Sequence, residues 1–185
     1  MPTLTTAFRF SSAVLAACAL GSPTAVAAQA YPFSQRSTIS QSVAHTNISV
    51  TYGRPVARGR ALFGTLVPWD SVWHPGADSA TVVTFSHDVL LDGRPLAAGA
   101  YSLWLIPRPQ GRWVLIFNRA AHVFHQPYPG AASDALRLEV TPETGAHMES
   151  MAIYFPAVLR DEATFRVHWG STFVAVQLKA PFRPT

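Results

Sequence analysis

The chain has 185 residues, of which 49% are hydrophobic and 13% are charged, with eleven Phe, five Trp and five Tyr. This composition excludes intrinsic disorder across the main body, and the length is typical of one domain plus a short leader. The formal net charge of +4 comes from scattered basic residues rather than a concentrated basic stripe, so we expect no nucleic-acid partner.

The N-terminal segment has the three-part layout of a secretory signal peptide. Arg9 lies in a short opening region, an apolar run extends from Phe10 to Leu20, and small residues over 25–28 form an A-x-A-like cleavage site. The apolar run is about eleven residues long, whereas a membrane-spanning helix needs roughly twenty. We therefore predict a signal peptide over 1–28 and a secreted or periplasmic mature protein that is not an integral membrane protein.

The same leader allows a second interpretation. Leu15-Ala16-Ala17-Cys18 resembles a bacterial lipobox, whose cysteine becomes the lipidated first residue, so a lipid anchor at Cys18 is the alternative to ordinary cleavage. Cys18 is also the single cysteine of the chain. The mature protein is thus expected to form neither an intramolecular disulfide nor a thiolate metal site.

Beyond a polar lead-in at 31–37, alternation with a period of two residues dominates the chain. Ile48, Val50 and Tyr52 alternate with polar residues, which is typical of a half-buried strand. About ten strands are predicted, at 38–43, 46–52, 80–86, 88–91, 101–106, 112–118, 136–141, 147–155, 163–169 and 172–179.

Turn residues separate these runs. Asp92-Gly93 joins two apolar segments, and Gly170-Ser171 is predicted to form a two-residue hairpin turn. No sustained helical periodicity occurs, so at most one short helical turn is expected, near 119–124. Many short antiparallel strands without alternating helices predict an all-β fold, an antiparallel β-sandwich of about ten strands, jelly-roll-like or barrel-like, in a single domain over 38–180.

Two stretches interrupt the alternation. The first loop, residues 53–78, is rich in Gly, Pro, Arg and Trp, and the second loop covers residues 119–134. Long structured loops in a compact domain are often functional, so we look for the chemistry of this protein there.

A series of short motifs resembles a known family. They are Tyr52-Gly53-Arg54-Pro55, Arg58-Gly59-Arg60, Phe63-Gly64, Leu66-Val67-Pro68, Trp73, Gly76-Ala77, Gly93, Leu96, Ala98 to Leu103, Ile106-Pro107, Trp113 to Asn118, Asp134 to Arg137, Glu149 and Trp169. In this order, over about 38–180, they resemble the bacterial domain-of-unknown-function family 2911. The resemblance implies a β-rich, secreted or lipidated protein and implies no particular activity.

The chain departs from that family's usual pattern at two places. The family commonly has Arg after the tryptophan and Asn-Glu after Gly-Ala, whereas His74 and Asp78-Ser79 occupy these positions here. If these positions bind a ligand through charge, the resemblance implies that the ligand or its affinity differs in this protein.

Three arginines of the first loop form one candidate binding cluster. Arg54, Arg58 and Arg60 lie within seven residues, and guanidinium groups suit bidentate capture of a carboxylate or phosphate. An anionic small molecule or an acidic glycan is the functional interpretation. Alternatively, these arginines pair with Asp70, Asp78 or Glu149 and hold the loop against the sandwich.

Aromatic and ionisable residues of the same loop form a second cluster. Trp69 and Trp73 could stack on a sugar ring, with His74 and Asp78 as an acid/base pair. Hydrolysis of a glycoside generally needs two facing carboxylates, and acids are scarce in this chain. The alternative is that both indoles plug one end of the sandwich.

Signatures of metal sites and of nucleophilic catalysis are weak. Several histidines occur, including an H-x-x-H spacing at His122 and His125, but no recognisable zinc motif, so we predict no metal and no cofactor. Ser86-His87-Asp88 are adjacent at a predicted strand end, where neighbouring side chains point to opposite faces and cannot relay a proton.

These observations favour a non-catalytic envelope module that binds an anionic ligand, a carbohydrate or a protein partner. Its predicted binding residues are Tyr52, Arg54, Arg58, Arg60, Trp73, His74 and Asp78. The alternative is a hydrolase or lyase that acts on a glycan with His74 and Asp78.

Overall fold

The computed structural model describes residues 34–181. The predicted signal peptide and Cys18 lie outside these residues. Within them the structure contains ten strands: β1 (Gln35–Val43), β2 (Thr46–Arg54), β3 (Val82–Phe85), β4 (Val89–Leu91), β5 (Arg94–Leu96), β6 (Gly99–Ile106), β7 (Trp113–Asn118), β8 (Asp134–Val140), β9 (Glu143–Tyr154) and β10 (Glu162–Lys179).

The strands form two antiparallel sheets. The large sheet has the order β1-β2-β3-β6-β7-β8, and the small sheet has the order β5-β4-β10-β9. Both sheets keep open edges, so the predicted all-β sandwich is confirmed and the fold is not a closed barrel. No helix in the range 34–181 is long and apolar enough to cross a membrane.

Alternating apolar side chains from both sheets fill the space between them. One core contains residues of both sheets. Its fully buried members include Ile48 and Val50 of β2, Leu103 of β6, Phe117 of β7 and, from the small sheet, Met151. Burial of a large aliphatic or aromatic side chain contributes about 1.5–3 kcal/mol, so this layer stabilises the sandwich without a disulfide.

The predicted hairpin turn at Gly170-Ser171 is wrong. Residues 162–179 form one continuous strand, and Gly170, with a φ of 59°, marks an irregularity in its pairing with β9. A glycine at positive φ is common to tight turns and to β-bulges, so the local sequence does not distinguish them. The count of ten strands holds because β5, which was not predicted, replaces the strand lost here.

The helical turn was also predicted at the wrong place. It occupies Ala131–Ser133 rather than 119–124. Residues after β7 are held in a turn instead, because the Asn118 Oδ1 accepts the Ala120 amide hydrogen at 2.9 Å. This side-chain contact offers the backbone an alternative to helical hydrogen bonds.

The bulge in the small sheet connects β9 to the first loop. His168 pairs with Ala152 and Gly170 pairs with Met148, so three residues of β9 lie opposite Trp169 alone. These extra residues pair with the first loop: the Met151 amide donates to the Pro55 carbonyl at 2.8 Å, and the Ala57 amide donates to the Glu149 carbonyl at 2.7 Å. The arginine-bearing start of the loop is thereby attached to the sheet at the position of Trp169.

Candidate functional site

A cavity of about 390 Å³ lies between the first and second loops. This volume falls within the range of small-molecule sites, roughly 300–1,000 Å³. The first loop contributes most of the lining, the second loop adds His125, Gln126 and Tyr128, and strands β6 and β10 add Trp104 and Trp169. The two segments that interrupt the strand pattern therefore meet around one concave site.

Arg58 and Arg60 line one side of this cavity. The Arg60 side chain is fixed by its own loop, with Nε donating to the Ala57 carbonyl at 2.9 Å and Nη2 donating to the Val56 carbonyl at 2.7 Å. Both partners are neutral carbonyls, and the nearby Glu149 carboxylate interacts with the guanidinium group through its charge. The cation is thus held in place rather than left to move freely in solvent.

Glu149 of β9 organises the backbone beneath these arginines. Its Oε1 accepts the Arg58 amide hydrogen at 2.6 Å, and its Oε2 lies 3.0 Å from the His147 Nε2. Hydrogen bonding by His147, and next by the Arg58 amide, lowers the pKa of Glu149. The carboxylate therefore stays ionised and holds Arg58, whose φ is 54°, in its left-handed conformation.

His74 is fixed in the wall of the cavity and is 5% exposed. Its Nε2 accepts the Thr81 amide hydrogen at 2.8 Å, while the Thr81 hydroxyl donates to the Pro75 carbonyl at 2.7 Å. Burial, and next the charge of His125, lowers the pKa of His74 from 6.5 to about 4. The ring is therefore neutral at physiological pH, and its proton resides on Nδ1 because Nε2 is an acceptor.

Gly76 makes this arrangement of His74 possible. A Cβ at residue 76 would lie 2.5 Å from the His74 Nε2 and 2.6 Å from the Thr81 Oγ1. These distances are too short for any side chain. The chain needs glycine here so that the loop backbone can pass against the imidazole.

The second loop is attached to the end of the first by hydrogen bonds. The His125 Nδ1 donates to the Asp78 carbonyl at 2.7 Å, and the Ala80 amide donates to the Val123 carbonyl at 3.0 Å. The His125 ring also stacks on that of His74, with centroids 6.3 Å apart. Asp78 itself has a φ of 64° and an exposed side chain.

A polar network behind the second loop positions Tyr128. The Tyr128 hydroxyl donates to the Asp134 Oδ1, which also accepts from the Asn118 Nδ2 at 2.8 Å. Arg137 donates to the other carboxylate oxygen of Asp134 at 2.6 Å. The tyrosine ring is thereby held edge-on against Trp104, with centroids 5.1 Å apart, as part of the cavity wall.

Indole rings complete the wall of the cavity. Trp73 stacks on Trp169 with centroids 5.9 Å apart and planes 12° apart, and it pairs with Leu105 of β6 through two backbone hydrogen bonds of 2.8 Å. The Trp104 Nε1 donates to the Ser102 hydroxyl at 2.8 Å. Trp169 is 3% exposed, and its Nε1 has no hydrogen-bond partner in the part of the chain that the structure describes.

The seven predicted binding residues separate into two groups. Arg58, Arg60, Trp73, His74 and Asp78 line the cavity.

The other two lie in the body of the sandwich. The buried Tyr52 hydroxyl accepts the Ile153 amide hydrogen at 2.9 Å, and the Arg54 Nε donates to the Met151 carbonyl at 2.9 Å. Trp69 packs against Phe63 and Trp113 at the core, as the plug interpretation expected. Instead of the expected carboxylates, Arg54 and Arg60 bind carbonyl oxygens.

Sequence reasoning missed several residues of the site. Trp104 and Trp169 occupy strand positions that look like ordinary core residues. Thr81, which fixes His74 but does not line the cavity, follows the loop rather than lying in it. His125 and Tyr128 belong to the second loop, which was singled out, but no pattern showed that they face the first loop.

The interpretation of Ser86 and His87 needs correction. Both residues lie in the bend after β3 rather than in a strand, and the Ser86 Oγ is 2.9 Å from the His87 Nδ1. They line a second cavity of about 430 Å³ with His45 and Asp88. The Asp88 Oδ1 accepts the Ala98 amide hydrogen at 2.8 Å, so that oxygen caps a turn rather than orienting the histidine.

Between residues 34 and 181, no group of three or more His, Cys, Asp or Glu side chains could hold a metal ion. Comparison with known proteins identified a family model described as a protein of unknown function, DUF2911, which matches residues 34–178. No curated protein and no solved structure matched the chain. Since the family match spans nearly all of the sandwich, this chain belongs to the DUF2911 family.

Proposed function

We propose that this protein is a non-catalytic binding module that holds a small anionic or carbohydrate ligand in the cavity between its two loops. The observation that carries the proposal is the convergence on one cavity of two arginines, Arg58 and Arg60, with indole and phenol rings. Guanidinium groups bind carboxylate and phosphate oxygens, while aromatic faces pack against rings. This combination is typical of a site for a small organic ligand.

The geometry of His74 argues against the glycan-acting hydrolase or lyase as the alternative. The His74 Nε2 already accepts the Thr81 amide hydrogen, and Nδ1 carries the ring proton. With its pKa lowered to about 4 by burial, the ring is not a general acid at neutral pH. Asp78 is the single carboxylate among the described residues that line the cavity, whereas glycoside hydrolysis generally uses two.

We also propose that the protein works outside the cytoplasm, in the bacterial envelope or the medium. The support is the layout of residues 1–28, with a small-residue cleavage site near Ala28. The alternative is that the exported protein is lipid-anchored through Cys18.

Isothermal titration calorimetry on the exported protein tests the binding proposal with glucuronate, glucose, acetate and inorganic phosphate as probes. We expect at least one probe to bind the parent, and Arg58→Ala to weaken that binding. Arg112→Ala is the matched control, because the Arg112 side chain is 63% exposed and pairs with Glu139 rather than lining the loop cavity. If no probe binds, or if both substitutions have equal effects, the proposal is wrong.

A further inference from the structure

The Trp169 indole in the cavity wall has a hydrogen-bond donor that nothing else in the site uses. Trp169 lines the cavity and is 3% exposed, and its Nε1 is buried without a partner among residues 34–181. Buried indole N–H groups usually find an acceptor, and leaving one unsatisfied costs about 1–3 kcal/mol. Because this donor belongs to a residue of the cavity wall, we treat it as a candidate hydrogen-bond partner for a ligand.

The bulge in the small sheet accounts for the position of this indole. Trp169 is the β10 residue opposite three residues of β9, and Gly170 follows it at a φ of 59°. Bulges re-aim side chains and occur preferentially beside functional sites. The same three residues hold the first loop, so Trp169 and the arginines are positioned by one structural feature.

The remaining polar groups of the cavity include both donors and acceptors. His74 carries its proton on Nδ1, as its bond with Thr81 requires. In the neutral form of His125, Nε2 is an acceptor, because Nδ1 donates to the Asp78 carbonyl. The Asp78 carboxylate is a further acceptor on this side.

Hydroxyl groups are the ligand chemistry that matches such a mixture, since each hydroxyl both donates and accepts. A purely apolar ring with a carboxylate would leave the acceptors of His125 and Asp78 without donors. The two arginines that line the cavity favour a negatively charged group on the ligand, and the aromatic wall suits the face of a ring.

We propose that the ligand of this cavity is an acidic sugar, and that the Trp169 Nε1–H donates a hydrogen bond to one of its oxygen atoms. This inference rests on the proposed binding function and specifies its ligand class. Arg58 and Arg60 bind the acidic group. Trp169 is the specificity-determining residue of this proposal, because it lines the cavity and its Nε1 has no hydrogen-bond partner among residues 34–181.

A pair of substitutions isolates this hydrogen bond. Trp169→Phe and Trp104→Phe each remove an indole from the cavity wall. The Trp104 Nε1 donates to the Ser102 hydroxyl, whereas the Trp169 Nε1 has no partner among the described residues. We expect calorimetry to show that glucuronate binds the parent more tightly than glucose or acetate. Trp169→Phe should weaken glucuronate binding about tenfold, and clearly more than Trp104→Phe does.

A measurement on the unmodified protein covers the case in which a variant fails to fold. The chain has five tryptophans, so its indole N–H resonances are few in a nitrogen-15 correlation spectrum. On addition of glucuronate, the Trp169 resonance should shift more than that of Trp104.

Four results would overturn the inference. Equal effects of the two substitutions, or an unmoved Trp169 resonance in a protein that binds glucuronate, refute the role of Trp169 and leave the binding function intact. Acetate or phosphate binding as tightly as glucuronate refutes the acidic sugar. Absence of binding by every probe removes the proposed function as well.

Discussion

Arg54 and Met151 join the large sheet to the small one, because the Arg54 Nε donates a 2.9 Å hydrogen bond to the Met151 carbonyl. The amide of Met151 meanwhile donates to the Pro55 carbonyl. This two-way contact attaches the end of β2 and the start of the first loop to β9.

Arg54→Ala should therefore destabilise the protein. A partly buried carbonyl would lose a charged donor, which typically costs about 1.5–3 kcal/mol, so we expect the melting temperature to fall by several degrees. Arg60→Ala is the matched control, since Arg60 binds carbonyls only three and four residues away. Differential scanning calorimetry measures the three melting temperatures. If both variants melt at the same temperature as the parent, Arg54 does not support the fold.

The stability of the protein should depend on pH through His74. The pKa of this residue is about 4 in the folded state and about 6.5 in the unfolded state. Between these values the unfolded chain binds a proton that the folded chain does not. Stability from neutral His74 is thus fully present above pH 6.5 and is lost as the pH falls toward 4, by at most about 3 kcal/mol.

Urea unfolding at pH 7 and at pH 5 measures this effect. Burial also lowers the pKa of His168, so the parent alone does not identify the group responsible. His74→Gln removes the titration and keeps an amide oxygen for the Thr81 amide. We expect a smaller loss of stability between the two pH values in this variant, and an unchanged loss would exclude His74 as a source.

Gly76→Ala should be more harmful than a loop glycine substitution usually is. The new methyl group would collide with the His74 Nε2 and the Thr81 Oγ1, so either the imidazole or the loop has to move. Gly59→Ala is a suitable comparison, because its Cβ would enter open space and only a φ of 67° opposes it. We expect Gly59→Ala to cost about 1 kcal/mol in urea unfolding and Gly76→Ala to cost more. The opposite order would contradict the close packing of His74.

If the protein is exported, the mass of its mature form should show that the leader has been removed. The expressed precursor should lose about 28 residues and accumulate in the periplasm or the medium. Intact mass spectrometry distinguishes this product from one that begins with a lipid-modified Cys18. A full-length protein retained in the cytoplasm would refute export in either form.

The sequence predicts β2 well, because its alternation reflects one side facing the core. Strands β6 and β7 are instead recognisable as short apolar runs between turn residues, since both of their faces are largely buried. The short β5 was missed since Arg94-Pro95-Leu96 contains too few residues for a period to appear. Strand β10 was divided because Gly170 satisfies the sequence requirements of a turn and of a bulge alike. Pairing with β9, which lies elsewhere in the chain, decides between the two.

The candidate site, like strand β10, depends on contacts between distant parts of the chain that the local sequence does not reveal. Arg58, Arg60, Trp73, His74 and Asp78 could be predicted as cavity residues, since an irregular loop rich in these residue types stands out from the strands. Trp104 and Trp169 could not, because a buried tryptophan on a strand has the same local pattern whether it faces the core or a cavity. That distinction depends on the register of β9 against β10 and on the path of a distant loop.

The long strand β10 has a consequence for the order in which the protein folds. Its middle part, from Arg166 to Phe173, pairs with β9, and its final residues, Leu178 and Lys179, pair with Leu91 and Leu90 of β4. Strands β4 and β5 form a local hairpin that has no other neighbour in the small sheet. That hairpin must wait until almost ninety further residues of chain are available, and closing so large a loop is slow. The large sheet grows mainly by pairing neighbours along the chain, whereas the small sheet is completed only by the last described strand.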